Sequence, residues 1–185
     1  MSLDVRALDI PEVRIIATKK HGDSRGFFSE TYNKAAFAEA GIALDFVQDN
    51  HSLSEHAGTL RGLHYQGVPH AQDKLVRVVS GRILDVAVDI RKDSPTFGKW
   101  VAAEISANLW NQILVPKGFA HGICTLEPNT QIIYKVTAYY APAHDLGIRF
   151  NDPTLGITWP FHENDLILSD KDRIQPFFND VVHWF

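Results

Sequence analysis

Between Lys74 and Phe150 the chain is a succession of short apolar runs, rich in Val and Ile and cut by Gly, Pro and Asn. KLVRVVSGRILDVAVDI, WVAAEI, NQILVP, HGICTL, QIIYKVTAYY and GIRF follow one another with only short polar connections. β-branched side chains lose rotamer freedom in a helix and pack well on a pleated surface. Runs of this length and spacing predict strands, and many such strands in series predict a sandwich or a jelly-roll barrel. KLVRVVSGRILDVAVDI, broken at Ser80-Gly81, is predicted to be a hairpin.

The N-terminal third is more mixed. VRIIATKKHGDSRGFFSETYN predicts a strand, a polar turn at Gly22-Asp23 and a second strand. NKAAFAEAG predicts a short helix, with Phe37 and Ala40 at helical spacing, a cap at Asn33 and a stop at Gly41. LDFVQDNHSLS resumes as a strand. From Asn164 to Phe185 the tail joins polar LSDKDR to aromatic IQPFFNDVVHWF, a stretch expected to pack back on the barrel or on a second subunit. No repeat or low-complexity linker divides the chain, so residues 1–185 are expected to form one domain. With 45% hydrophobic residues in 185, there is enough apolar material for a single core.

A formal net charge of −4 gives no basic surplus for nucleic-acid binding. No apolar stretch approaches the ~20 residues of a bilayer span. MSLDVRALDIPEV lacks a basic segment followed by an apolar run, so no secretory leader is expected. The one cysteine, Cys124, permits no intrachain disulfide, which fits a reducing cytoplasm.

The segment LRGLHYQ, residues 60–66, poses a question of its own. Side chains alternate faces along a strand, so His64 and Arg61 should point opposite ways. Either Arg61 is an exposed charge, or the strand is irregular at Gly62 and both residues enter one cavity. Other polar residues also interrupt the predicted strands: Lys74, Tyr134, and Gln48 to Asn50. Each alone reads as a solvated strand end or an ordinary wall residue. LVPKGFAHGICTL carries P-x-G-x-x-H at Pro116, Gly118 and His121, a pattern frequent in small barrels of the cupin type. Their other motif supplies H-x-H, and here that place holds His64 and then Gln66. An amide oxygen is a poor ligand for zinc or iron, so a metal centre is not expected.

Taken in order, GDSRGFFSETYN, FVQDNHS, LRGLHYQ, QDKLVRVVSGRILDVAVDIRKDSPTFGKW, PKGFAHGICTL, YKVTAYYAP and LSDKD resemble the dTDP-4-dehydrorhamnose 3,5-epimerase family. The likeness runs from about Ile15 to Asp172. It implies a mainly β fold, a cupin-type jelly-roll barrel with short flanking helices, in a homodimer that needs no cofactor or metal. It also implies a nucleotide-sugar substrate, dTDP-4-keto-6-deoxy-D-glucose, and the product dTDP-4-keto-L-rhamnose.

On that resemblance His64 is the catalytic base, with Asp172 of SDKD as its partner. Lys74 stabilises the enolate at the C4 oxygen, and Tyr134 returns a proton on the other face. Arg25 and Arg61 match diphosphate-binding positions, to which Lys171 adds charge. Gln48, Asn50 and Glu30 match nucleotide contacts, Phe27 and Tyr139 match positions for stacking on thymine, and His121 matches a sugar contact. In APAHDLG, Asp145 stands where the family often has glutamate, one methylene shorter. Three alternatives stay open on the sequence: a mono-epimerase acting at C3 or C5 only, a metal-dependent cupin enzyme, and a non-catalytic sugar-nucleotide-binding barrel.

Overall fold

The computed structural model describes residues 3–181 and 184–185. In chain order its strands and helices are β1 (Leu3–Ala7), β2 (Arg14–Thr18), β3 (His21–Asp23), β4 (Gly26–Phe28), α1 (Lys34–Glu39), β5 (Gln48–Ser54), β6 (Leu60–Gln66) and β7 (Lys74–Ser80). There follow β8 (Arg82–Asp89), β9 (Trp100–Ser106), β10 (Asn111–Val115), β11 (Phe119–Thr125), β12 (Thr130–Val136), β13 (Asp145–Gly147) and α2 (Asp170–Arg173). Two antiparallel sheets face each other, in the orders β1-β2-β10-β7-β12-β5 and β13-β6-β11-β8-β9. This is the mainly β jelly roll that the strand pattern predicts.

The space between the sheets is filled by Ile15, Val76, Val78, Ile83, Ala87, Ile105, Ile113 and their neighbours. Both outer faces are covered as well. Phe37 of α1 and Ile42 lie against Ile16, Leu75 and Leu114 on the six-stranded sheet. Phe178, Val181, Trp184 and Phe185 of the tail pack with Val86, Val88 and Ile90 on the other. The tail therefore folds back on its own barrel; Val182 and His183 of that stretch lie outside the described residues. Cover on two faces explains why β8 reads as an almost unbroken apolar run. Helix α1 ends as expected: Asn33 accepts the amide of Ala36 at 3.2 Å, and Gly41 leaves at φ +77°.

Two local expectations are corrected. β7 and β8 are not hairpin partners. β7 pairs with β10 and β12 in one sheet, and β8 with β11 and β9 in the other. Gly81, at φ +79°, carries the chain between sheets, and a Cβ there would lie 2.3 Å from Thr130 Oγ1. A Ser-Gly turn signal is the same for both outcomes. Which sheet the next strand joins is decided by distant partners, and here Val76 and Val78 meet Ile83 and Ala87 across the core. The early polar turn sits at Ser24-Arg25, inside a small exposed hairpin of β3 and β4 separate from β2.

Candidate active site

The pairing of β6 with β11 slips at one point. His64 lies opposite His121, yet Arg61 lies opposite Ile123, so β6 holds one extra residue there. The bulge centres on Gly62, whose φ is +135°. A Cβ at this position would sit 2.5 Å from Gly122 Cα and 2.8 Å from the His121 carbonyl oxygen. Leu63 and Tyr65 consequently join the outer apolar cluster, whereas Arg61 and His64 both line the same cavity. The irregular strand is the answer to the pattern of LRGLHYQ.

That cavity is about 460 Å³ and lies between the two sheets. One sheet contributes Arg61, His64 and His121, the other Ser52, Lys74 and Tyr134; Ser169 and Asp172 close it from the chain around α2. His64 Nε2 is 2.5 Å from Asp172 Oδ1. Ser169 caps α2, accepting the Asp172 amide at 3.2 Å, and donates its hydroxyl to Asp172 Oδ2 at 2.8 Å. Burial opposes the Asp172 carboxylate, but His64, Ser169 and the Gly62 amide outweigh it and hold its pKa below the ordinary value. The remaining ring nitrogen of His64 makes no hydrogen bond among the described residues. No buried side-chain nitrogen or oxygen there is left without a partner, so His64 Nδ1 is open to the cavity.

Lys74 Nζ donates to the carbonyl of His64 at 3.4 Å. Burial draws its pKa down to about 8, against the opposing pull of Asp85 and Asp145. Tyr134, on the facing sheet, has its phenol pKa raised by burial, with Arg61 working the other way. His121 Nε2 sits 2.9 Å from both oxygens of Asp85. Arg61 lies at the exposed mouth and reaches Ser54 Oγ and the Leu53 carbonyl on β5, each at 3.4 Å. The site thus assembles a histidine–carboxylate pair, an ammonium and a phenol around one opening, with the histidine and the phenol on opposing walls.

Asn50 pairs with Tyr134 across β5 and β12, and Gln48 and Ser52 share its strand face. Gln48 donates to Asn50 Oδ1 at 2.8 Å and accepts the Tyr140 amide at 3.0 Å. Lys171 forms an ion pair with Asp145, which also accepts the Tyr140 hydroxyl at 2.9 Å. Tyr139 is 69% exposed on the loop after β12. Gln66 donates to its carbonyl and to that of His70, and accepts the Ala141 amide. Both ends of the Gln66 amide are thereby engaged by backbone, and none of its atoms lines the cavity.

Arg25, Phe27 and Glu30 are not brought to the cavity of their own chain. The Arg25 side chain is 88% exposed and paired with Asp23. Phe27 packs edge-on to Trp110 at 4.8 Å, and Trp110 lies 6.0 Å from the guanidinium of Arg77. Arg77 follows the cavity-lining Val76 on β7 and so points to the opposite face of that strand. Glu30 accepts from Asn33 at 3.4 Å beside α1.

A sequence profile described as dTDP-4-dehydrorhamnose 3,5-epimerase matches residues 7–180. The chain belongs to that family. It is 50% identical over 171 residues to the dTDP-4-dehydrorhamnose 3,5-epimerase of Sinorhizobium fredii, covering 92% of this chain and 87% of the relative. The epimerase of Bacillus anthracis, solved with TDP and PPi bound, superposes with a TM-score of 0.92 at 49% identity, over 95% of this chain and 99% of that one. The Legionella pneumophila dTDP-6-deoxy-D-glucose-3,5-epimerase, in complex with dTDP-4-keto-L-rhamnose, gives 0.92 at 44% identity, over 97% and 95%.

Two residues that hydrogen-bond the cavity's histidine–carboxylate groups, Asp85 behind the wall and Ser169 in it, were not singled out in the sequence. Asp85 is buried within RILDVAVDI, where an acid among β-branched residues was the available signal. Ser169 lies in the polar LSDKDR stretch, where a serine just before a short helical turn is the available signal of a cap.

Proposed function

We propose that this chain epimerises C3 and C5 of dTDP-4-keto-6-deoxy-D-glucose to give dTDP-4-keto-L-rhamnose, on the route to dTDP-L-rhamnose. The observation that carries the reading is the placement of His64, backed by Asp172, on one wall of a cavity whose facing wall bears Tyr134. Inverting a carbon needs proton removal on one face of the ring and return on the other.

The 4-ketone acidifies the C–H bonds at C3 and C5. His64 takes the proton, and the electron pair moves to the C4 oxygen. The enolate is held by the Lys74 ammonium, a contribution worth ~3–4 kcal/mol where the site excludes water. Tyr134 then protonates the opposite face. Asp172 orients the imidazole and stabilises its charged form. No redox or cofactor step enters this chemistry. Arg61 at the mouth suits the diphosphate through its forked donors, with Lys171 nearby in charge. Gln48, Asn50 and Asp145 surround the nucleotide end, His121 contacts the sugar, and exposed Tyr139 offers a face to thymine.

The active form in this reading is a homodimer of single-domain chains in the cytoplasm. The exposed hairpin carrying Arg25 and Phe27, with Glu30 after it, cannot serve its own cavity from the outer face of the six-stranded sheet. A two-fold partner gives these residues a substrate to meet, and β1 leaves an open sheet edge.

Proton NMR of dTDP-4-keto-6-deoxy-D-glucose in D2O with chelator-treated protein tests the proposal. Deuterium entering at both C3 and C5, with an L-configured product after a coupled reductase, is the expected result. Exchange at one carbon would reassign the chain as a mono-epimerase, and no exchange would overturn the reading.

A further inference from the structure

The cavity wall holds a second histidine, His121, backed by a buried carboxylate, Asp85, and the acid–base steps leave this pair without a part. Asp85 sits in the middle of β8 with no solvent exposure, and both its oxygens approach His121 Nε2 at 2.9 Å. His121 is the direct cross-strand neighbour of His64. Its Nδ1 makes no hydrogen bond among the described residues and is not buried without a partner, so it faces the cavity. We propose that Asp85 is a positioning residue for the epimerisation: it holds His121 with Nδ1 toward the sugar and supplies the buried counter-charge for Lys74. The proposal rests on the epimerase reading of this cavity.

A contrast within the same strand separates this role from a purely architectural one. Asp89 is equally buried, and its carboxylate takes Arg91, Ser94 and Thr96, none of which lines the cavity. Asp89 ties a loop to the barrel. Asp85 ends instead on a side chain in the cavity wall. A buried carboxylate without cationic company is strongly disfavoured, and an apolar residue of similar shape would pack β8 as well or better.

The charges around Lys74 point the same way. Burial works against its ammonium, and the carboxylates that oppose burial are Asp85 from β8 and Asp145 from β13. Asp145 is already engaged by Lys171 and Tyr140. Asp172 is engaged by His64 and Ser169. Arg61 and Tyr134, the other ionisable groups on the cavity wall, bring no negative charge in their ordinary forms. Asp85, whose partner His121 is an imidazole and not a lysine, is the larger of the two carboxylate influences on Lys74. Because His121 Nε2 must carry a proton to donate to Asp85, the same carboxylate fixes which ring nitrogen meets the substrate.

The test compares wild type with Asp85→Asn, which keeps an oxygen for His121 and removes the charge. The expected result is a fall in kcat of roughly 10- to 100-fold, with KM altered far less. The alkaline limb of kcat, expected near pH 8 in wild type from Lys74, should move to lower pH, since loss of a nearby negative charge makes the ammonium easier to deprotonate. A folded variant with unchanged kcat and an unmoved limb overturns the proposal. Should the variant not fold, nitrogen NMR of the wild-type His121 ring decides: a proton retained on Nε2 supports it, and a proton on Nδ1 alone overturns it. Failure of the epimerase reading is recognised separately, by wild-type protein that exchanges no substrate proton.

Discussion

His64 and Asp172 are 108 residues apart in the chain and meet with Nε2 and Oδ1 separated by 2.5 Å. The contact is built from local features at both ends. The Gly62 bulge rotates His64 into the cavity and leaves the Gly62 amide to Asp172, while the Ser169 cap fixes the short turn that presents the carboxylate. The Asp172 side chain is 4% exposed and that of His64 30%, so the carboxylate is hidden and the imidazole is open. An acid held below its usual pKa stabilises the fold above the unfolded value of ~3.9 and loses that contribution as pH falls through the lower folded value.

His64→Ala is expected to lower turnover by at least ~10³-fold while leaving affinity for dTDP nearly intact. Asp172→Asn should keep the hydrogen-bonded shape yet lose roughly 10² or more in kcat, because a neutral amide does not stabilise an imidazolium. Titration calorimetry with dTDP beside the D2O exchange assay separates binding from chemistry. Near-full activity in either variant would remove the dyad from the mechanism.

Tyr134→Phe removes the proposed proton donor and leaves the proposed base, His64. Solvent deuterium should still enter the substrate, while inverted product falls by ~10²-fold or more. The ratio of exchange to net epimerisation, read in one NMR time course, is the diagnostic. Equal loss of both would place Tyr134 in binding or orientation instead.

Lys74 links activity and stability with opposite signs. In the proposed mechanism its ammonium holds the enolate, so kcat should decline as pH rises through about 8. Between that value and the unfolded ~10.4, the unfolded chain binds the additional proton, so stability rises with pH across this window. Below it, burying the charge costs up to about 3 kcal/mol. Lys74→Met is expected to reduce kcat by ~10²–10³-fold; it relieves the buried ammonium but strips Asp85 of its cation, so a raised Tm at neutral pH means that desolvation of the ammonium outweighs the pairing. A Tm lower than wild type would show that the ammonium is better compensated than its surroundings suggest.

Much of this was legible in the sequence, for reasons that differ by residue. Strand content followed from Val and Ile runs, and α1 from Asn33, Phe37 and Gly41, because those signals are local. The sheet that β8 joins was not legible, because Ser80-Gly81 serves a hairpin and a sheet-to-sheet corner alike. Gly62 was readable as an irregularity, since His64 and Arg61 could not share a face otherwise. The roles given to His64, Lys74, Tyr134 and Asp172 came from family resemblance, and the cavity shows that one opening can serve them all. Asp85 was missed because nothing local distinguishes it from Asp89. Only the identity of its partner, 36 residues away on another strand, does so.

Gly62→Ala puts the bulge itself to the test. The new Cβ would meet backbone on two sides, Gly122 Cα at 2.5 Å and the His121 carbonyl oxygen at 2.8 Å, at a φ of +135° that side chains rarely adopt. Neither neighbour is a flexible side chain that could yield. Backbone strain and overpacking each cost ~1–3 kcal/mol, so a destabilisation of roughly 3 kcal/mol is expected, with Tm lower by about 10 °C. The displaced backbone is that of His121 and Gly122, so β6 and β11 should separate where His64 and His121 face each other. Activity should then fall further than the folded fraction accounts for, because the bulge aims His64 and delivers an amide to Asp172. Thermal melts and specific activity per folded molecule measure the two effects independently. A variant as stable and as active as wild type would show that β6 reaches the same cavity without the bulge.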